Sequence, residues 1–293
     1  MTIIFPYSNI PGLLTLAFGE ILIFIPTFVL IMAFGVDIRE TFAVRKVKLL
    51  TMILVVPFTY MLLPLIAACN AFTMLFTDNV VDSVSDEILK IPFVLSFAVI
   101  AVFGPFTEEL AFRGAEYSGL RKSGNVRRAI LLQALMFGLM HLNFNQLVYA
   151  FVVGVAIGIL REVTGSIWPG FLAHFLINGT STVAMYFLTD TESGVMSSTA
   201  ELSKAEILLV MQSYLMMAVF TTSIAILILY LIASIEDGGM ERLMRIVRPM
   251  KRHLVAVDGS YVEASVGRTV SLPALIGGLV AILIVVVTQI GNY

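Results

Sequence analysis

Residues 91–114 read IPFVLSFAVIAVFGPFTEELAFRG. An uncharged stretch of membrane-spanning length runs directly into Glu108, Glu109 and Arg113. A bilayer core takes about 20 apolar residues of helix, with roughly 17–25 tolerated. Whether this stretch crosses lipid or sits inside a soluble core decides the fold, and composition settles it. The 293-residue chain is 59% hydrophobic and 13% charged, with a mean hydropathy of +0.97, whereas soluble domains carry about 25% charged residues. Such a chain cannot cover itself with polar surface, so lipid is its solvent.

Working outward from this stretch, which spans about 91–112, five more meet the length requirement, at about 12–35, 49–76, 169–188, 206–235 and 271–290. Two shorter ones, near 129–143 and 146–160, follow each other through HLNFN and read as a tight helical hairpin. The expectation is all-α: a polytopic transmembrane helix bundle of about eight helices, forming a single membrane domain over 1–293. The first residues, MTIIFPYSNIPG, lack the basic region of a cleavable signal peptide, so the first apolar segment is expected to stay as a helix. Cys69 is the only cysteine, which excludes an intrachain disulfide and a Cys-based metal site. A net charge of −2 with no basic patch gives no nucleic-acid surface, and no internal repeat of the transporter kind is visible.

Lysine and arginine set the orientation. Arg39, Arg45, Lys46 and Lys48 follow the first helix; Arg113, Arg121, Lys122, Arg127 and Arg128 end or follow the third. Arg161 follows the fifth, and Arg242, Arg245, Arg248, Lys251, Arg252 and Arg268 follow the seventh. All the basic residues except Lys90 and Lys204 thus fall in loops that alternate to one side. The expected protein is integral to the plasma membrane, with basic loops in the cytoplasm and both termini outside. Residues 236–268 form a basic, amphipathic cytoplasmic loop. Within it Arg242, Arg245 and Arg252 lie opposite Leu243, Met244 and Val247, a pattern suited to the anionic inner leaflet over 236–252 or to a solvated connection.

Ionisable groups inside spanning helices are costly and need a partner or a purpose. Glu109 and Arg113 stand four apart, acid first, as an ion pair on one face. Glu108 points about 100° away, over Gly104 and Pro105, and lacks a partner in its own helix. Pro105 frees a carbonyl there, leaving room for water or a substrate backbone. Phe137 and His141 share a face of the fourth helix, and Gly170, His174, Asn178 and Thr182 form a polar stripe on the sixth. Each pattern also has a bland reading as interhelical packing or glue. Counted from the cytoplasmic interface, Glu108 and His174 lie about 10 and 8 Å deep, Asn178 about 14 Å and His141 about 20 Å. Glu20, about 13 Å from the outer face, bonds a neighbouring helix or lines a vestibule.

Glu108-Glu109-x-x-x-Arg113, Phe137-x-x-x-His141 and His174-x-x-x-Asn178, in that order on membrane segments, resemble the three motifs of the CPBP family. This is the CAAX protease and bacteriocin-processing (ABI) family of intramembrane glutamate proteases. The resemblance covers 91–188, a four-helix catalytic core. It implies a cavity open toward the cytoplasm in which a peptide bond is hydrolysed. Glu108 would be the base that activates water, His141 would hold that water, and His174 and Asn178 would donate to the oxyanion. Glu109 with Arg113 would be structural. Two histidines and a glutamate could also bind zinc, but HExxH is absent, and hydrolysis without a cofactor is the expectation.

Three classes of function remain on the sequence. The leading one is an endopeptidase acting on a membrane-embedded or membrane-associated peptide or protein, in CAAX-type C-terminal processing or in bacteriocin processing or immunity. The second is a catalytically silent scaffold or regulator that binds a partner protein. The third is a transporter that relays protons through the same groups.

Overall fold

The structure, a computed structural model, describes residues 38–122, 124–188, 202–248, 254–257 and 260–263, with positions 21, 25 and 29. The first and last expected helices, and Glu20, lie outside the described residues. Between them the helices run as α1 (Ile38–Phe42), α2 (Leu49–Met74), α3 (Val80–Leu89), α4 (Phe93–Arg121), α5 (Val126–Met140), α6 (Phe144–Thr164), α7 (Trp168–Phe187), α8 (Lys204–Ile235) and α9 (Gly239–Val247).

Side-chain caps begin four of these helices, satisfying amides that have no partner within the helix. Asn79, Asn125 and Asn143 accept from Val81, Arg128 and Gln146 at 3.1, 3.1 and 2.7 Å. Ser203 and Glu206 form a reciprocal capping box at the start of α8. The expected hairpin is α5–α6. Its turn is shorter than HLNFN suggested, spanning His141–Asn143, and Leu142 adopts a left-handed φ of 54° to close it.

Among the described residues, four helices are long and apolar enough to cross a bilayer: α2, α4, α6 and α8. The protein is an integral membrane protein. α7, expected to span over 169–188, is helical over 20 residues, but its polar stripe keeps it out of that set. α8 is exposed at Met216, Val219 and Phe220 by 78, 69 and 70%, and these side chains face the apolar solvent that a membrane provides. Its other face packs along α2, and α2 in turn packs on α6 and α7. Val55, Phe58, Phe137, Ile157 and Leu160 lie at the centre of that core.

Both ends of the bundle are locked by polar contacts. At one end Asn145, 1% exposed, donates to Asn70 Oδ1 and Thr73 Oγ1, both at 2.9 Å, and accepts from the Val80 amide. Tyr186 bonds the carbonyls of Ile88 and Ile91 and the Ser96 hydroxyl at 2.6–2.7 Å, tying α7 to α3 and α4. At the other end lie Lys48, Arg121, Arg161, Arg242 and Arg245, joined by the contacts described below. There Lys48 pairs with Asp237 at 2.8 Å and, by that bond, holds its carboxyl below the usual range.

α9 departs from expectation. Its apolar residues Met240, Leu243, Met244 and Ile246 pack on the bundle. Arg242 donates to the carbonyls of Val163 and Asp237, both at 2.9 Å, and Arg245 pairs with Glu241 and approaches Glu162. The two arginines expected to face an anionic leaflet are thus used by the protein, because α9 folds back over the end of α6. Arg252 lies outside the described residues. Beyond α9, Leu254–Val257 (β1) and Ser260–Glu263 (β2) pair antiparallel, with Val257 opposite Ser260. The fold is all-α as expected, and this short hairpin is a local addition to it. Asp258-Gly259 between two short runs is its sequence signal.

Candidate active site

α4 is not a uniform helix. Ala98–Phe103 and Glu109–Glu116 are π-helical, and between them Gly104–Glu108 is one α-helical turn. π-turns are rare, and they concentrate at functional sites because the extra residue re-aims side chains. Glu108 is the last residue of the α-turn and Glu109 the first of the π-turn. The break has a local cause. Gly104 N–H bonds the Val99 carbonyl, five residues back, so the next donor in that ladder would be residue 105, for Ile100. Residue 105 is proline and has no N–H. The carbonyl left over is not open to water or substrate as the sequence suggested: Asn178 Nδ2 donates to it at 3.0 Å.

Glu109 is at the centre of the site. Its Oε1 pairs with Arg113 Nη1 at 2.9 Å, and both side chains are fully buried. The same oxygen accepts from His174 Nδ1 at 3.0 Å. His174 Nε2 then lies 3.5 Å from Glu108 Oε2. One imidazole therefore bridges the two adjacent glutamates. Gly170, one turn before His174, makes this possible: a Cβ there would stand 3.0 Å from Glu109 Oε2 and 2.6 Å from Ile157 Cγ2.

Phe137 organises the remaining groups. The Arg113 guanidinium lies 4.3 Å from its ring centroid, and His141 and His174 both pack edge-on against it, at 5.2 and 5.6 Å. The cation–ring contact suits a buried, desolvated guanidinium. His141 Nδ1 donates to the Phe137 carbonyl at 2.9 Å. A carbonyl can only accept, so the neutral ring presents Nε2 as an acceptor.

The structure thus gathers Glu108, Glu109, Arg113 and His174 in direct contact, with His141 on the shared Phe137 ring and Asn178 one turn from His174. The depth mismatch read from the sequence disappears for two reasons. α4 continues to Arg121 rather than ending near 112, which moves Glu108 to about 20 Å from its end. α7 also starts inside the protein: Ile167 is buried and donates to the Ala43 carbonyl, and Ser166 bonds the Arg45 carbonyl. Among the described residues, no three His, Cys, Asp or Glu side chains are arranged to hold a metal ion. The π-turns, the Asn178–Ile100 bond and the room made by Gly170 were missed on the sequence. Pro105 five residues after Ile100, and Gly170 in the polar stripe, were their only signals.

Known proteins bear on this site. A curated protein of Bacillus subtilis (strain 168), "Putative membrane peptidase YdiL", is 28% identical over 96 residues, 33% of this chain. The match spans 38% of that relative's length. No solved structure matches significantly. Residues 90–180 hold every residue of the site, and over them the chain matches the family of type II CAAX prenyl endopeptidases described as Rce1-like, as its three motifs indicated.

Proposed function

We propose that this chain is an intramembrane endopeptidase that hydrolyses a peptide bond of a membrane-embedded or membrane-associated protein. The observation that carries the reading is the contact between Glu108 Oε2 and His174 Nε2, with His174 held from behind by a second, neutralised carboxylate. The family match over 90–180 supports the same reaction class.

Glu108 takes a proton from the attacking water and returns it to the leaving amine as the C–N bond breaks, while His141 Nε2 accepts a second hydrogen bond from that water and orients it. His174 is fixed by Glu109 in ring orientation; carrying a proton on each ring nitrogen, it donates from Nε2 to the developing oxyanion together with the remaining Asn178 amide hydrogen. Donors set in advance at an oxyanion contribute about 2.7–4 kcal/mol each to lowering the barrier. The reaction uses no metal: His174 engages a glutamate with each ring nitrogen, and His141 spends Nδ1 on a carbonyl. Activity that persists in chelator without bound zinc supports this; loss on zinc removal, restored by zinc alone, reverses it. The substrate is a prenylated CAAX-type C-terminus or a bacteriocin-like peptide. The site opens to the cytoplasm, where the basic loops lie.

The test compares peptide termini in membranes from cells expressing the wild type and Glu108→Gln at matched levels. Termini that vanish with Glu108→Gln establish the protease and name its substrate and cut site. Unchanged cleavage by Glu108→Gln sinks the mechanism, and a full set of unchanged termini favours a partner-binding scaffold.

A further inference from the structure

Arg161 and Glu162 stand side by side on α6, 8 and 1% exposed, and belong to none of the three motifs. Buried charges persist only where they are paired and hydrogen-bonded. Both reach the C-terminal half of α4. Arg161 Nε donates to the Arg113 carbonyl at 3.2 Å, its Nη2 donates to Ser118 Oγ at 3.4 Å, and its guanidinium lies over the Tyr117 ring. Glu162 accepts from the Tyr117 hydroxyl at 2.7 Å and from Arg121 Nε and Nη2 at 2.6 and 2.9 Å. α6 thus grips α4 at residues 113, 117, 118 and 121, along one face.

What it grips is the end of the π-turn Glu109–Glu116. Such turns are rare within α-helices and concentrate at functional sites, where their register sets which way side chains point. Arg113, inside this turn, is the ion-pair partner of Glu109, and Glu109 holds His174. We infer that Arg161 and Glu162 are positioning residues: they fix the register of the π-turn, and so the placement of His174 against Glu108. The inference rests on the reading of Glu108 and His174 as the reacting pair. Neither clamp residue touches substrate.

The chain has three histidines, His141, His174 and His253, so imidazole-labelled protein in nanodiscs gives three resonances. The His174 resonance is identified by its loss in His174→Gln. Arg161→Met and the isosteric Glu162→Gln are compared with Gln133→Leu, which removes another buried bond to α6, at the Gly154 carbonyl. The expected result is a displaced His174 resonance in both clamp variants and an unmoved one in Gln133→Leu. For the substrate that the terminus comparison names, kcat falls by about tenfold or more with KM unchanged, because a small misplacement acts on the chemical step. Arg161→Lys, which keeps the charge but not the fork, recovers part of the loss. Lowered melting with an unmoved His174 resonance in folded variants overturns the inference and leaves a purely structural role. Where Arg161→Met does not fold, Glu162→Gln decides alone. A displaced resonance in a protein whose wild type cleaves nothing keeps the clamp and removes the protease reading.

Discussion

At the scale of single residues, Glu109 shows how a charge can be kept inside a membrane protein. One of its oxygens serves both Arg113 and His174, so removing either partner acts on the other. Arg113→Ala leaves a buried carboxylate without its cation, and breaking a buried pair from one side costs about 3–5 kcal/mol. Folded yield and melting temperature in detergent should therefore fall sharply. Glu109→Leu with Arg113→Met should recover most of that stability, since apolar replacement of a whole pair is close to neutral. It should not recover cleavage, because His174 has lost its support. Normal stability of Arg113→Ala would remove the structural assignment of the pair. Gly170→Ala brings a methyl within 2.6 Å of Ile157 Cγ2, and such overpacking costs about 1–3 kcal/mol. Its melting temperature should drop, and its activity should drop further than partial unfolding explains, since Glu109 is the other neighbour.

At the scale of elements, α4 and α9 carry most of what the sequence did not reveal. The length of the apolar run placed the start of the third expected helix, but it cannot detect a π-turn, which adds one residue to a turn without changing composition. Where α4 ends was equally hidden, because Arg113 looks like the cytoplasmic boundary until Glu109 and Phe137 are seen to bury it. α9 was legible as a basic amphipathic helix, while its destination was not. Nothing local distinguishes an arginine aimed at lipid phosphate from one aimed at the carbonyls that end a neighbouring helix. Arg242→Ala removes two such bonds, to Val163 and Asp237. At about 1 kcal/mol net for each bond, the bundle should stay folded while α9 loosens. Hydrogen exchange should rise over 239–247 and remain unchanged over 49–74. Equal protection of α9 in the variant and the wild type would show that its apolar face alone holds it.

At the scale of the whole molecule, Lys48, Arg121, Arg161, Arg242 and Arg245 meet at one end of the bundle. The orientation that follows is testable through the single cysteine. With Cys69 replaced by alanine, cysteine at Lys122 should react with a membrane-impermeant maleimide only from the cytoplasmic side, and cysteine at Lys90 only from outside. Both lysines are exposed at helix ends. Labelling of both from the same side would overturn the orientation and with it the cytoplasmic opening of the site.

The sequence by itself determined the solvent and the helical class, and it singled out the charged residues that the structure gathers. Apolar excess forces a bilayer, the bilayer forces helices, and charges too costly for lipid stand out against the background. Only the tertiary structure decided how those charges meet. One imidazole bridges Glu108 and Glu109, a proline's missing donor engages Asn178, and α6 grips the turn that carries them. Each of these contacts joins residues at least 40 positions apart, and spacing within one helix holds no information about which face of another helix it will meet.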